Sequence, residues 1–117
     1  MPRYVILTHD HPFPHWDLML ESEGMLRTWR LLEEPATGRT VPAEPLGEHR
    51  LAYLDYEGPV SGGRGSVMRW DSGTYSLLAE EAHCLRIQLV GNRLNGTAHL
   101  RVGTDGTWAF DGADLQT

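Results

Sequence analysis

Three observations on this sequence predict an all-β fold, a small closed or partly closed β-barrel of about eight short strands with little helix. Short β-branched and apolar runs recur along the chain, as in residues 4–8 (Tyr-Val-Ile-Leu-Thr) and 84–90. Turn formers separate these runs at close spacing, with 13 Gly and 7 Pro among 117 residues. No segment sustains apolar residues at helical spacing, so no amphipathic helix is indicated. A barrel is favoured over an open sheet because closure leaves no edge unpaired. The length suits one hydrophobic core, and residues 1–117 are read as a single domain.

The elements follow in order. Residues 4–8 form the first strand. Pro12 and Pro14 forbid regular pairing and make residues 10–14 a stiff loop. Residues 15–21 alternate. His15, Asp17, Met19 and Glu21 share one face, and Trp16, Leu18 and Leu20 the other, which predicts a strand with a polar and an apolar side. Glu23-Gly24 is a turn into a strand over 25–32, with Trp29 on one face. Residues 33–47, rich in Pro, Gly, Thr and Glu, read as a long surface connection. Residues 49–56 read as a strand and 57–65, with four glycines, as a loop. Asp71-Ser72-Gly73 is predicted to turn between strands over 66–70 and 74–78. Glu80, Glu81 and Ala82 suggest a helical turn. Two further strands, 84–90 and 94–101, flank a turn at Gly91-Asn92-Arg93. A last strand over 107–110 follows Thr104-Asp105-Gly106.

Composition narrows the function classes. The net charge is −6, and all ten basic residues are Arg. Without Lys there is no polybasic tail for strong nonspecific nucleic-acid binding, and no Lys nucleophile for Schiff-base chemistry. No apolar run is long enough for a membrane span, and the first residues lack a signal-peptide pattern, so a cytoplasmic location is expected. The single cysteine, Cys84, excludes an internal disulfide framework and reads as a buried thiol in the core. Serine hydrolase chemistry has no Gly-x-Ser-x-Gly motif to stand on.

The segment from His9 to Glu21 carries the chemistry. His9 ends one strand and His15 begins the next, across a loop that two prolines stiffen. Neutral imidazoles and the Asp17 carboxylate suit a borderline or harder divalent metal, and three protein ligands leave coordination positions open for substrate or water. The same residues also suit turn caps and surface pairs, so spacing alone leaves both readings open. His11 reads as a surface residue of the loop. Asp10 reads as a turn former, or as an acceptor that orients a ligand imidazole. His49 and Tyr53, four residues apart on one predicted strand, offer a proton donor and a phosphate-binding hydroxyl, or else fill the barrel interior. Gly62-Gly63-Arg64-Gly65 is either a flexible turn or an anion cradle without the Lys-Ser/Thr of a P-loop.

These residues together resemble a known family. His9-Asp10-x4-His15-x-Asp17-x-x-Leu20-Glu21, followed by Gly24-x-Leu26-Arg27-x-Trp29, is similar to the 3′-phosphoesterase domain of bacterial and archaeal DNA ligase D. The likeness continues at Glu48-His49-x3-Tyr53-x2-Tyr56-Glu57-Gly58, Gly65-Ser66-Val67, Trp70-Asp71-Ser72-Gly73-Thr74 and Leu94-x-Gly96-x-x-His99-Leu100. The resemblance implies a compact β-barrel whose Mn²⁺-dependent activity (Zn²⁺ is the alternative ion) removes 3′-terminal ribonucleosides and 3′-phosphates from DNA or RNA–DNA ends before sealing. It implies repair ligase or polymerase partners and no membrane. By motif position His9, His15 and Asp17 match the metal ligands, and His49 and Tyr53 match the essential His and Tyr, with His49 the candidate proton donor. The family carries Arg two residues after the ligand Asp, where this chain has Met19. It also often carries Gln-Lys before the first His, where this chain has Leu7 and Thr8. A thioether donates nothing to a phosphate oxygen. Arg64, Arg50 or Arg69 is then expected to replace the missing contact.

Overall fold

The computed structural model describes residues 1–116. Ten strands follow in chain order: β1 (Arg3–His9), β2 (His15–Ser22), β3 (Met25–Leu31), β4 (Thr40–His49), β5 (Gly58–Pro59), β6 (Ser66–Glu81), β7 (Cys84–Gly91), β8 (Asn95–Val102), β9 (Trp108–Asp111) and β10 (Leu115–Gln116). A 3₁₀ turn, Leu51–Leu54, joins β4 to β5. Every pairing is antiparallel. The ring runs β1-β2-β3-β4-β9-β8-β7-β6, and β6 pairs back onto β1, so eight strands close a barrel. β5 joins β6 and β10 joins β8 outside that ring. The predicted fold class is borne out. No helix is long and apolar enough to cross a membrane among the described residues.

Strand alternation sends side chains to two cores. Tyr4, Ile6, Leu18, Leu20, Trp29 and Phe110 belong to a large cluster fed by all eight ring strands, which is the barrel interior. An eight-stranded barrel is narrow enough for side chains alone to fill it. The intervening residues Val5, Leu7, Met19, Leu26 and Val67 form a second cluster with Leu54 of the 3₁₀ turn. That second core lies on the outer face of β1–β2–β3, under the segment that follows β4. The polar face predicted for β2 therefore points outward but is covered. His15 and Asp17 are 1% and 3% exposed, although neither is apolar.

Five local expectations are corrected. Residues 40–49 are strand β4 rather than connection: Val41 and Ala43 face the interior at every second position, and Pro42 and Pro45 do not prevent pairing with β3 and β9. The strand predicted over 49–56 ends at His49 and continues as the 3₁₀ turn. Asp71-Ser72-Gly73 is not a turn but the middle of the 16-residue β6. Glu80 and Glu81 belong to the same strand, which reverses tightly through Ala82 and His83 into β7. Cys84, predicted to be in the core, is half-buried at the start of β7.

Candidate metal centre and phosphate pocket

β1 and β2 pair with His9 opposite His15, so the chain leaves and re-enters the sheet at one point. The Pro12–Pro14 loop between them closes on His15 through its own backbone: the His15 Nδ1–H donates to the Phe13 carbonyl at 2.8 Å. His9 is held in the same way from the far side of the pocket, where its Nε2–H donates to the Arg64 carbonyl at 2.8 Å. Each imidazole thus spends its proton on a carbonyl. The remaining nitrogens then face the Asp17 carboxylate, His9 Nδ1 at 3.3 Å from Oδ2 and His15 Nε2 at 3.2 Å from Oδ1. His15 Nε2 and Asp17 Oδ1 are fully buried without a hydrogen-bond partner among the described residues.

One ligand atom from each of His9, His15 and Asp17 thus lies within 4.8 Å of the others. Buried acceptors that face one another are costly unless positive charge lies between them. A proton on an imidazole fills such a gap, and so does a metal ion. Two imidazoles oriented by carbonyl acceptors, plus one carboxylate, form a donor set that divalent metals accept.

Around this cluster lies a cavity of about 210 Å³, lined by His9, Asp17, Met19, Arg30, His49, Tyr53 and Arg64 among others. His49 sits where β4 ends, paired opposite Leu26. Its Nδ1–H donates to the Gly47 carbonyl at 2.9 Å, which leaves Nε2 as the open ring atom. Tyr53 stands on the 3₁₀ turn, and its ring meets that of His49 edge-on at 6.0 Å. The turn is fixed at the next residues: Leu54 is buried in the outer core, and Asp55 pairs with Arg3 at 2.7 Å. That ion pair holds the Asp55 carboxyl below its ordinary range. The pair predicted from sequence does come together, with a turn rather than a strand supplying the spacing.

The remaining sequence candidates separate. Arg64 reaches the cavity, but its Nε and a terminal nitrogen also donate to the Ser61 carbonyl and hydroxyl of its own loop. Arg50 lines an adjoining cavity with Tyr53 and Tyr56 instead. The Arg69 side chain reaches the Leu54 carbonyl at 3.5 Å. Asp10 orients no imidazole: its carboxylate accepts the Ser66 amide at 2.8 Å, and that bond lowers its pKa. His11 lines the cavity beside Pro12 but stands outside the three-residue cluster. Gly65 has φ +74°, and a Cβ there would overlap the Asp10 carboxylate. The glycine loop thus serves close packing, and it brings the Arg64 carbonyl to His9. Arg30 was missed. It lies directly across β2–β3 from Asp17, a position reached by counting outward from the two-residue turn at Glu23-Gly24.

Comparison with known proteins meets this geometry over most of the chain. The family model for the DNA ligase D 3′-phosphoesterase domain matches residues 7–101, a stretch that includes every residue of the cluster, His49 and Tyr53. The chain belongs to the DNA ligase D 3′-phosphoesterase domain family. Among its relatives is the multifunctional non-homologous end joining protein LigD of Pseudomonas aeruginosa, 33% identical over 109 residues. That alignment takes in 84% of this chain and 13% of the relative. The proteins of the same name from Mycobacterium bovis and, described as a DNA repair protein, from Mycobacterium tuberculosis are each 31% identical over 102 residues, covering 80% of this chain and 13% of theirs. The chain thus spans a small fraction of the length of these family members. The Met19 departure noted in the sequence stands in a core setting: the side chain is 1% exposed and packs with Val5, Leu7 and Leu26 while one edge lines the cavity.

Proposed function

We propose that this chain is a divalent-metal-dependent phosphoesterase that removes 3′-terminal ribonucleosides and 3′-phosphates from DNA or RNA–DNA ends. The observation that supports it is the convergence of one ligand atom from each of His9, His15 and Asp17 within 4.8 Å, beside the open His49 Nε2 and Tyr53 hydroxyl, in a member of a 3′-phosphoesterase family. His9, His15 and Asp17 would hold the ion, Mn²⁺ in the first instance and Zn²⁺ as the alternative. When bound, the ion would supply Lewis-acid charge for a phosphoryl oxygen and for the attacking water. The Tyr53 hydroxyl donates to a second phosphoryl oxygen. Hydrolysis adds water across the P–O bond: His49, entering the step with a proton on both nitrogens and its Nδ1–H held by the Gly47 carbonyl, gives the Nε2 proton to the departing sugar oxygen, and the attacking water's proton restores it. The carbonyls of Phe13 and Arg64 keep both ligand imidazoles in one tautomer throughout. Residues 1–117 act as one domain in this reading. Its place is the cytoplasm, and DNA ends are its partners together with a repair ligase or polymerase.

Primers ending in one ribonucleotide or in a 3′-phosphate test the reading, each incubated with the full chain and Mn²⁺. Shortening or dephosphorylation, abolished by EDTA and lowered at least 100-fold by His49→Ala, is the expected result. Intact primers, where a ligase D phosphoesterase processes them, would reject it. Met19 favours a second reading, a weakened member of the family that holds metal and DNA ends without turnover. Tight binding of the same primers with no cleavage by the wild type would select that reading.

A further inference from the structure

We infer that Arg30 is the residue that grips the substrate phosphate, in the place the family's Arg would take at position 19. The inference rests on the phosphoesterase reading and names the side chain that recognises the ester. Arg30 lines the same cavity as His9, Asp17, Met19, His49 and Tyr53. It is paired opposite Asp17 across β2–β3, so both side chains leave the sheet on one side. Its side chain is 22% exposed, and its Nε is buried without a partner among the described residues. Glu44, its neighbour on β4, stands off at 3.7 Å and is itself half exposed.

Burying a guanidinium with an idle N–H is unfavourable unless an acceptor arrives. No protein acceptor among the described residues bonds that Nε. The planar fork of Arg matches two oxygens of a tetrahedral oxyanion, which a phosphoester presents and a neutral sugar does not. Phe13 holds the fork ready, since the guanidinium carbon lies 5.4 Å over its ring. The same Phe13 offers its carbonyl to His15, so one loop residue places both a cluster imidazole and the phosphate donor. Other arginines are committed elsewhere: Arg3 to Asp55, Arg27 to Glu80, Arg39 to Glu33 and Arg101 to Asp111. Arg64 divides its donors with Ser61.

The test follows the guanidinium itself. Inorganic phosphate is titrated into the ¹⁵N-labelled full chain, with and without Mg²⁺, while the Arg Nε–H resonances are recorded. The Arg30 resonance is identified as the one missing from Arg30→Gln. It should shift saturably, and Arg30→Gln should raise the phosphate Kd at least tenfold, while Arg86→Gln, on another face, leaves Kd within twofold. Arg30→Lys, a point charge without the fork, should recover only part of the affinity. An Arg30 resonance that stays in place at saturating phosphate in both forms, or an unchanged Kd in a folded Arg30→Gln, overturns the inference. Primer cleavage is scored separately, where Arg30→Gln should lower kcat/KM at least 30-fold. A wild type that binds phosphate through Arg30 but cleaves no 3′ end would retain the inference and remove the proposed function. A wild type that cleaves, with Arg30→Gln cleaving equally well, would do the reverse.

Discussion

Asp17 concentrates the electrostatics of the site on one carboxylate that two lone-pair nitrogens face. Replacing it with Asn changes shape little but turns one oxygen into a donor, which can satisfy the orphaned His15 Nε2. Asp17→Asn should therefore raise metal-free stability by about 1 kcal/mol, the net worth of one hydrogen bond. The same change should remove the metal-induced rise in Tm that a ligand of the native state produces. Thermal melts of both proteins with and without Mn²⁺ check both halves. A rise in the variant as large as in the wild type would show that Asp17 is not a ligand. Gly65 is coupled to the cluster at one remove. Its positive φ and its contact with Asp10 position the Arg64 carbonyl that receives the His9 proton. Gly65→Ala should cost about 1–3 kcal/mol, the range for strained backbone, and should weaken Mn²⁺ binding as well, because His9 loses its acceptor. Urea titration and calorimetry with Mn²⁺ read the two effects. The convergence of His9, His15 and Asp17 was legible in the sequence, since His and Asp at one end of an alternating strand can face only one way. The carbonyls that orient the imidazoles were not, because a backbone acceptor leaves no residue-type signal.

β6 shows why some elements were misread. Asp-Ser-Gly is ordinary turn chemistry, yet here each residue has a task inside a strand. Asp71 is a buried carboxylate, 1% exposed, that accepts the Tyr4 hydroxyl at 2.7 Å and the amides of Ser72, Arg93 and Leu94 at 3.0, 2.8 and 3.1 Å. It ties β1 to the turn between β7 and β8 from within the barrel wall. Gly73 pairs with Gly91, and a Cβ on either would strike backbone or the Tyr4 hydroxyl. Gly73 marks close approach, not reversal, and the distinction depends on strands that are distant in sequence. The same reasoning explains residues 33–47, where Pro and Gly concealed most of a strand whose buried residues are Val41 and Ala43. By contrast, the turns at Glu23-Gly24 and Gly91-Asn92-Arg93 were readable because strong alternation flanks them on both sides. Asp71→Asn would set an amide donor among amide donors and should cost about 3 kcal/mol in urea denaturation, the upper range for a bond to a charged group. Tyr4 gives a pH signature. Burial, then its bond to Asp71, pushes its hydroxyl far above the usual tyrosine range. The unfolded chain therefore releases that proton first. The contribution of this hydroxyl is complete below about pH 10 and is lost as pH rises beyond it. Tyr4→Phe should be less stable by about 1 kcal/mol at pH 7. It should also lose less stability between pH 9 and 11 than the wild type. Part of the decline should persist, because burial raises Tyr75 as well. Equal slopes in the two proteins would remove Tyr4 as the cause.

At the scale of the whole molecule, the proposed function requires a closed barrel with an external site to bind a polyanion while carrying a net charge of −6 and no Lys. General attraction to a nucleic-acid backbone is therefore weak, and recognition must come from a few groups at one place. The groups available are Arg30 and Arg64 in the cavity, Arg50 in the adjoining one, and the cluster that would hold the ion. Three arginine–phosphate contacts on a single strand predict a log–log salt slope of about −2, since each contributes about −0.7. Affinity for a single-stranded 3′ end should then fall roughly 20-fold between 50 and 200 mM salt, whereas a protein with six to ten contacts loses about 10³–10⁵ over that range. Fluorescence anisotropy with 3′-hydroxyl, 3′-phosphate and internally labelled hairpin oligonucleotides measures it. The end-bearing strands should bind with the shallow slope, and the hairpin without an accessible 3′ end should bind at least tenfold more weakly. A steep slope shared by all three would mean that the protein tracks backbone rather than ends. No binding at 20 mM salt would point to a phosphoester outside nucleic acid, which the acidic surface would tolerate equally well. The shallow slope is the outcome that the geometry requires, because the barrel presents one compact pocket at the junction of β1, β2 and the Leu51–Leu54 turn.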